Sequence, residues 1–414
     1  MKYEPETVKG FQDYLSPESL QREKIKKIVK KWFELYGFIP IETPTIEFDE
    51  LMRPDALANE PEDEAISDRF KLQDRGGRKL GLRYEFTFQL ARLLKQNPNI
   101  KLPFRRYQIG SVFRDEPIRL GRTREFTQCD IDIIGDSSVN AEAECLAVMV
   151  EILKEIRVKD YTIQLNNRKL LQSIIESVEI KQIRNIMREL DKLEKLGEDE
   201  VKANLKKFTS ANQVITLFKL LEKDLSFFKK NAFPGSEELE EFIETAKFYG
   251  IKVRFNPIMT RGFAYYTGNV FEFLTEKKLA VAGGGRYDRT VGKFTNREIP
   301  AVGISFSLEA LMSLFPEEIK KLKMPSCPKA LLISISQEKE AINLSRILRK
   351  AKISCSLTLD KLGKALEYAN SYKIPYVIFI GEEEIGKKKY KLKNMKNGNE
   401  TLLSEKELIK KLGK

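Results

Sequence analysis

The 414-residue sequence contains no histidine. Chemistry that rests on an imidazole base, relay or metal ligand is therefore closed to its side chains. What remains is chemistry run by carboxylates, arginine, lysine, backbone dipoles and bound Mg²⁺. Cysteine is scarce too: Cys129, Cys145, Cys327 and Cys355 stand far apart, with no CxxC pair. That spacing argues against zinc and against a disulfide framework. No apolar run approaches the ~20 residues that cross a bilayer. Residues Met1 to Tyr14 are polar and lack the apolar centre of a signal peptide. The expectation is a cytoplasmic protein with no membrane segment.

What is present is a chain long enough for two or three domains, with an ordinary hydrophobic fraction of 42%. The formal net charge is +12, and it is uneven: Pro328 to Lys414 hold 19 Lys and Arg against 10 Asp and Glu. A basic final fifth implies a polyanionic partner, RNA or DNA being the usual ones.

The pattern predicts a helix over Ser16–Leu35, with Ser16 as its N-cap and Gly37 as its end. A short strand broken by Pro40 and Pro44 follows. Arg105–Arg114 and Phe126–Ile134 read as antiparallel strands around a polar loop, flanked by helices over Phe88–Lys95 and Ala141–Arg157. From Asn166 to about Tyr249 the chain is helical and charged, as an inserted domain would be. Strands resume at Lys252–Phe255 and Gly268–Phe273, then a glycine cluster, then a helix over Ser305–Phe315. After a linker at Pro325–Pro328 the pattern alternates strand and helix, which implies a small α/β domain.

Two constellations carry chemistry. The first is Arg83-Tyr84-Glu85-Phe86-Thr87, then Phe113-Arg114-Asp115-Glu116, then Arg122-Thr123-Arg124-Glu125-Phe126-Thr127-Gln128-Cys129-Asp130-Ile131-Asp132. An arginine at the end of a strand can clamp a phosphate oxygen. Glu85, Gln128 and Asp132 supply acceptors for an amine or imidazole. The second is Arg261-Gly262-Phe263-Ala264-Tyr265-Tyr266-Thr267-Gly268, followed by Gly283-Gly284-Gly285-Arg286-Tyr287-Asp288.

In this order the motifs resemble those of histidyl-tRNA synthetases, most of all the archaeal and eukaryotic branch. Phe113–Glu116 and Arg124–Asp132 look like motif 2 of these class II enzymes. Gly37–Glu47 is similar to motif 1, and the RG–YYTG run to the family's signature. Lys361–Ala369 and Ile374–Glu382 resemble its anticodon-binding domain.

The resemblance implies an α+β fold with four segments. These are a first catalytic part at 1–165, an inserted helical domain at 166–250, a second catalytic part at 251–324 and an anticodon-binding domain at 328–414. It implies a homodimer that joins L-histidine to tRNA(His) through a histidyl-adenylate, using ATP and Mg²⁺ without zinc. Carried over residue by residue, Arg114 and Arg261 become the catalytic cations. Glu85, Thr87, Gln128, Asp132, Tyr265 and Tyr266 hold histidine, with Tyr266 on the imidazole side and Tyr265 as pocket wall. Arg114, Glu116, Arg122 and Phe126 hold ATP. Arg119, Arg124, Lys387, Lys388 and Lys389 contact tRNA. The glycine triplet is expected in a strand turn.

Three positions depart from the pattern: Ala310 stands where motif 3 has an arginine, Ser307 where it has glycine, and Ala264 where the signature has aspartate. Arg286 is the neighbouring cation expected to compensate for the arginine missing at 310. The alternative reading is a catalytically impaired paralogue acting as a regulator or tRNA sensor.

Overall fold

The structure is a computed structural model that describes residues 5–52, 69–260, 265–295, 297–322 and 328–413. It divides into two compact units, Met1–Leu322 and Lys323–Lys414. Among the described residues no helix is long and apolar enough to cross a membrane.

The first unit is built on an eight-stranded sheet. Its strands in chain order are β1 (Ile39–Pro40), then β5 (Phe104–Phe113), β6 (Glu125–Ile134), β7 (Tyr161–Asn167), β8 (Arg254–Phe255), β9 (Asn269–Thr275), β10 (Ala280–Arg286) and β11 (Ala301–Ser307). The numbers between belong to a small sheet of β2 (Ile46–Phe48), β3 (Lys71–Gln73) and β4 (Lys79–Leu82). The spatial order is β1-β5-β6-β11-β10-β9-β7-β8, antiparallel except for the outermost pairs β1–β5 and β7–β8. This is the α+β class expected.

Local rules explain most elements. The β5–β6 ladder runs from Phe104↔Ile134 to Phe113↔Glu125, within one residue of the predicted strands. The first helix ends where predicted, with Gly37 in the left-handed region at φ 77°. It starts differently: Glu18 is the first helical residue, Pro17 takes the N-cap position, and no side chain caps it. The helix Val139–Glu155 lies against β11 and is almost wholly buried.

The glycine triplet is not a turn. Gly283, Gly284 and Gly285 lie within β10, between β9 and β11. Glycine is required there because the strands approach so closely: a Cβ on Gly284 would sit 1.9 Å from the Gly303 carbonyl oxygen. The next helix is also shorter than expected. The ladder with β6 holds the chain extended to Ser307, and the helix is Leu308–Leu314.

Between β7 and β8 the chain forms seven helices, from Arg168–Ser177 to Ser236–Phe248. Three of them begin at a side-chain cap: Asn167, Ser210 and Asp224 each accept backbone N–H bonds.

The second unit has its own five-stranded sheet of β12 (Ala330–Ser334), β13 (Cys355–Thr358), β14 (Tyr376–Ile380), β15 (Tyr390–Asn394) and β16 (Glu400–Leu403). The order is β13-β12-β14-β15-β16. The first three are parallel and the last two antiparallel additions, with a hydrophobic core on each face.

Candidate active site

A cleft of about 700 Å³ opens over β6, β9, β10 and β11 in the first unit. Its lining contains Arg114, Glu116, Arg122, Phe126, Glu85, Thr87, Gln128, Asp132, Tyr265 and Tyr266. Segments distant in sequence thus meet at one place.

Arg114 follows the last residue of β5. Its guanidinium lies over the Tyr84 ring at 4.4 Å and the Phe126 ring at 5.0 Å, and its Nε donates to the Tyr84 carbonyl at 3.3 Å. Two ring faces orient the cation without cancelling its charge. Glu116 stands 3.7 Å from it and 3.5 Å from Arg122.

The floor is acidic and buried. Glu85 accepts the Phe88 N–H at 2.7 Å and so begins the helix Thr87–Gln96. Burial raises its pKa above the ordinary carboxylate value, against the lowering effect of Thr87, the Phe88 amide and Arg114. Asp132 is engaged at both oxygens: the Tyr287 hydroxyl donates to Oδ1, and Arg106 pairs with Oδ2. Arg106 is 0% exposed. Gln128 donates its amide to Asp130 Oδ2 at 2.8 Å. The carboxyl of Asp130 is pushed up to about 7, chiefly by burial and in part by Asp132, with Arg106 acting in the opposite direction.

Tyr265 and Tyr266 lie ahead of β9 rather than on a strand, with ring centroids 4.9 Å apart, and both reach the cleft. Arg261, with Gly262 and Ala264, lies outside the described residues.

Two expected tRNA contacts are elsewhere. Arg119 is exposed, paired through its backbone with Arg122 across the loop. Arg124 covers Gly10 and pairs with Asp115 at 3.1 Å. Lys387, Lys388 and Lys389 are in the second unit, all exposed, with Lys387 bonded to Glu383 at 2.5 Å.

Arg286, the cation expected to compensate, is not among the residues that line the cleft. That side chain is 5% exposed and turned away from the cleft. It donates to Glu142, to the carbonyls of Asp136 and Ser138, and to Asp288. Ala310 does line the cleft, and Gly121 of the motif 2 loop rests on it: a Cβ on Gly121 would lie 3.1 Å from the Ala310 Cα. Ser307 caps the short helix, its Oγ accepting the Ala310 N–H at 2.9 Å.

Several participants escaped the sequence reading. Arg184 and Arg188 rise one turn apart from the helix Ile183–Leu190 and line the cleft rim. Glu309 accepts from Arg22 at 2.6 Å and from the Thr127 amide at 2.9 Å, tying three elements together. The only local signal for Glu309 was its place within the motif 3 stretch. Arg22 had none. Among the described residues no group of three or more Asp, Glu or Cys gathers to hold a metal.

Comparison with known proteins agrees with this geometry. The family model described as "Histidyl-tRNA synthetase" matches residues 10–311, and one described as "Anticodon binding domain" matches residues 329–414. The chain is 38% identical to histidine–tRNA ligase 1 of Bacillus cereus, over 96% of this chain and 97% of the relative. It is 37% identical to histidine–tRNA ligase 2 of Shouchella clausii, over 96% and 98%. The crystal structure of histidyl-tRNA synthetase from Nostoc sp. PCC 7120 superposes with a TM-score of 0.85. It is 27% identical and covers 100% of this chain and 99% of that one.

Proposed function

This chain belongs to the histidyl-tRNA synthetase family, and on that premise we propose that it ligates L-histidine to tRNA(His) at the cleft over β6 and β11. In the first step a histidine carboxylate oxygen attacks the α-phosphorus of ATP, forming histidyl-adenylate and releasing pyrophosphate. In the second, a terminal ribose hydroxyl of tRNA(His) attacks the histidyl carbonyl and AMP leaves. The first nucleophile is already ionised, so no general base is needed and the absence of histidine side chains costs nothing. The protein must align the reactants and hold negative charge.

The observation that carries this reading is Arg114, clamped between Tyr84 and Phe126 in a cleft whose floor is buried carboxylates. Arg114 is assigned to the α-phosphate, with Arg261 as its partner by resemblance. Glu116, Arg122 and Phe126 are assigned to ATP. Glu85, Thr87, Gln128, Asp132, Tyr265 and Tyr266 are assigned to histidine. No side chain is assigned to Mg²⁺, which as the nucleotide's counter-ion would supply positive charge against the phosphates. The anticodon-like second unit, with Lys387, Lys388 and Lys389, and the loop residues Arg119 and Arg124 are assigned to tRNA. The segment boundaries 1–165, 166–250, 251–324 and 328–414, and a cytoplasmic location, belong to the same proposal. A homodimer is supported by exposed apolar side chains: Leu35 at the end of the first helix, Ile39 on the edge strand β1, and Ile46 and Phe48 on β2 of the small sheet.

The test is amino-acid-dependent pyrophosphate exchange with histidine and a panel of other amino acids. Exchange with histidine alone is expected. Tight tRNA binding with no exchange would replace the ligase by a tRNA sensor.

A further inference from the structure

Strand β6 outruns its neighbour. The ladder with β11 ends at Ser307↔Gln128, yet β6 begins three residues earlier, at Glu125. A backbone N–H on that open edge needs an acceptor from outside the sheet. Thr127 has one: its amide donates to Glu309 Oε2 at 2.9 Å. Glu309 follows the end of β11, in the helix Leu308–Leu314, so its carboxylate stands in for the strand that has ended.

The carboxylate is held in turn. Arg22, from the helix Glu18–Leu35, donates through Nη2 to Glu309 Oε1 at 2.6 Å and to Thr127 Oγ1 at 3.0 Å. Its guanidinium lies 3.7 Å from the centre of the Tyr14 ring. Arg22 is 8% exposed and Glu309 7%. Water and salt screen such a pair little, and loss of one partner leaves the other charge uncompensated.

The pair sits behind the cleft rather than in it. Residues alternate faces along a strand. Phe126 and Gln128 line the cleft, whereas the Thr127 hydroxyl between them meets Arg22. Phe126 supplies the ring 5.0 Å from the Arg114 guanidinium. Gly121, in the loop between Arg114 and β6, rests on Ala310, the residue after Glu309. One short helix therefore meets this loop and the start of β6 at two points.

Resting on the ligase reading above, we propose that Glu309, braced by Arg22, is a positioning residue for the activation step. By fixing the Thr127 amide it sets the place of the Phe126 ring, and through that ring the Arg114 guanidinium assigned to the α-phosphate. Neither Glu309 nor Arg22 lines the cleft, so both act at second hand. The histidine side of the floor has other supports: Tyr287 and Arg106 hold Asp132, and the Phe88 amide holds Glu85. It should stay in place when the brace is cut.

The test is histidine-dependent pyrophosphate exchange on the full-length chain, at a temperature where the thermal melt shows each variant folded. Glu309→Ala should lower kcat by about tenfold to hundredfold and raise KM for ATP, with KM for histidine within about twofold of the parent. Arg22→Met should show the same pattern. Both Arg22 bonds leave from one nitrogen, so the single ammonium of Arg22→Lys should restore most of the loss. Because Glu309 works through Arg114, adding Glu309→Ala to Arg114→Ala should lower kcat by less than about threefold more.

A folded Glu309→Ala with parent kcat and only a lower melting temperature overturns the inference. So does an equal rise in both KM values, or a fully additive loss in the Arg114→Ala background. If Glu309→Ala does not fold, Glu309→Gln decides by the same readings, since its amide offers one acceptor oxygen where the carboxylate offers two. Those outcomes leave the ligase reading intact, because the parent still exchanges with histidine. A parent chain without histidine-dependent exchange overturns both.

Discussion

The floor and the rim of the cleft use charge in opposite ways. On the floor, Glu85, Asp130, Asp132 and Arg106 are buried and held by short, fixed contacts between strands. On the rim, Arg122, Arg184 and Arg188 are exposed, and the one Arg122 pair seen, with Glu116, is loose at 3.5 Å. Charges of the first kind discriminate, because an imperfect partner leaves a desolvated group unsatisfied. Charges of the second kind attract phosphate across water and weaken as salt rises. If the proposed function holds, fixed geometry on the floor selects the small substrate, and the field of the rim gathers the polyanionic ones.

The largest effect should come from disturbing the floor. A Cβ on Gly303 would fall 2.2 Å from Asp132 Oδ1 and 2.7 Å from the Ile131 carbonyl. Gly303→Ala is therefore expected to cost about 3 kcal/mol of stability and abolish exchange. A denaturant melt and an exchange assay would check both, and a variant with parent stability would show the floor to be soft.

Next is Arg114, which belongs by position to the cleft mouth but is fixed like the floor. Arg114→Ala should lower kcat for exchange by about 100- to 1000-fold, with the thermal melt little changed. A fall smaller than tenfold would place the phosphate grip elsewhere.

A smaller effect separates buried charge from exposed charge through pH. Burial pushes Glu142 up to about 7, against the pull of Arg286 and Asn269. Between the ordinary glutamate range and pH 7 the folded chain holds a proton there that the unfolded chain has released. Stability from this site is thus greatest in acid, falls as pH rises toward 7, and is level above it. Glu142→Gln should flatten that fall in melting temperature across pH 5 to 7.5, and an unaltered slope would refute the assignment.

The smallest effect belongs to the outlying lysines. Lys388→Ala with Lys389→Ala should leave exchange unchanged. KM for tRNA should rise a few-fold, and the salt slope of binding should shrink by about 2. Equal tRNA binding at all salt concentrations would remove these residues from the interface.

Much of the fold was legible because the signals were local. A polar loop between two strand-like runs marked the β5–β6 pair, and Gly37 marked the end of the first helix. What failed was non-local. A glycine triplet reads as a turn, and only the approach of β11 makes it a strand. The helix after β11 begins at Leu308 rather than Ser305 because the ladder with β6 holds the chain extended to Ser307. Arg286 looked available until Glu142, 144 positions away, was found beside it. Among the site residues, Gln128 and Asp132 could be put on one strand face from sequence, but nothing local pointed to Arg106, the buried cation paired with Asp132.

The seat of Gly121 on Ala310 couples the loop that carries Arg122 to the helix Leu308–Leu314. With the two backbones nearly touching, a longer side chain at 310 must lift the loop that carries Arg122. Arginine at 310 would add a long side chain beside the loop residue Gly121, which lies against Ala310. A larger residue at 121 is the change this contact forbids, since its Cβ would press on the start of the helix that follows β11.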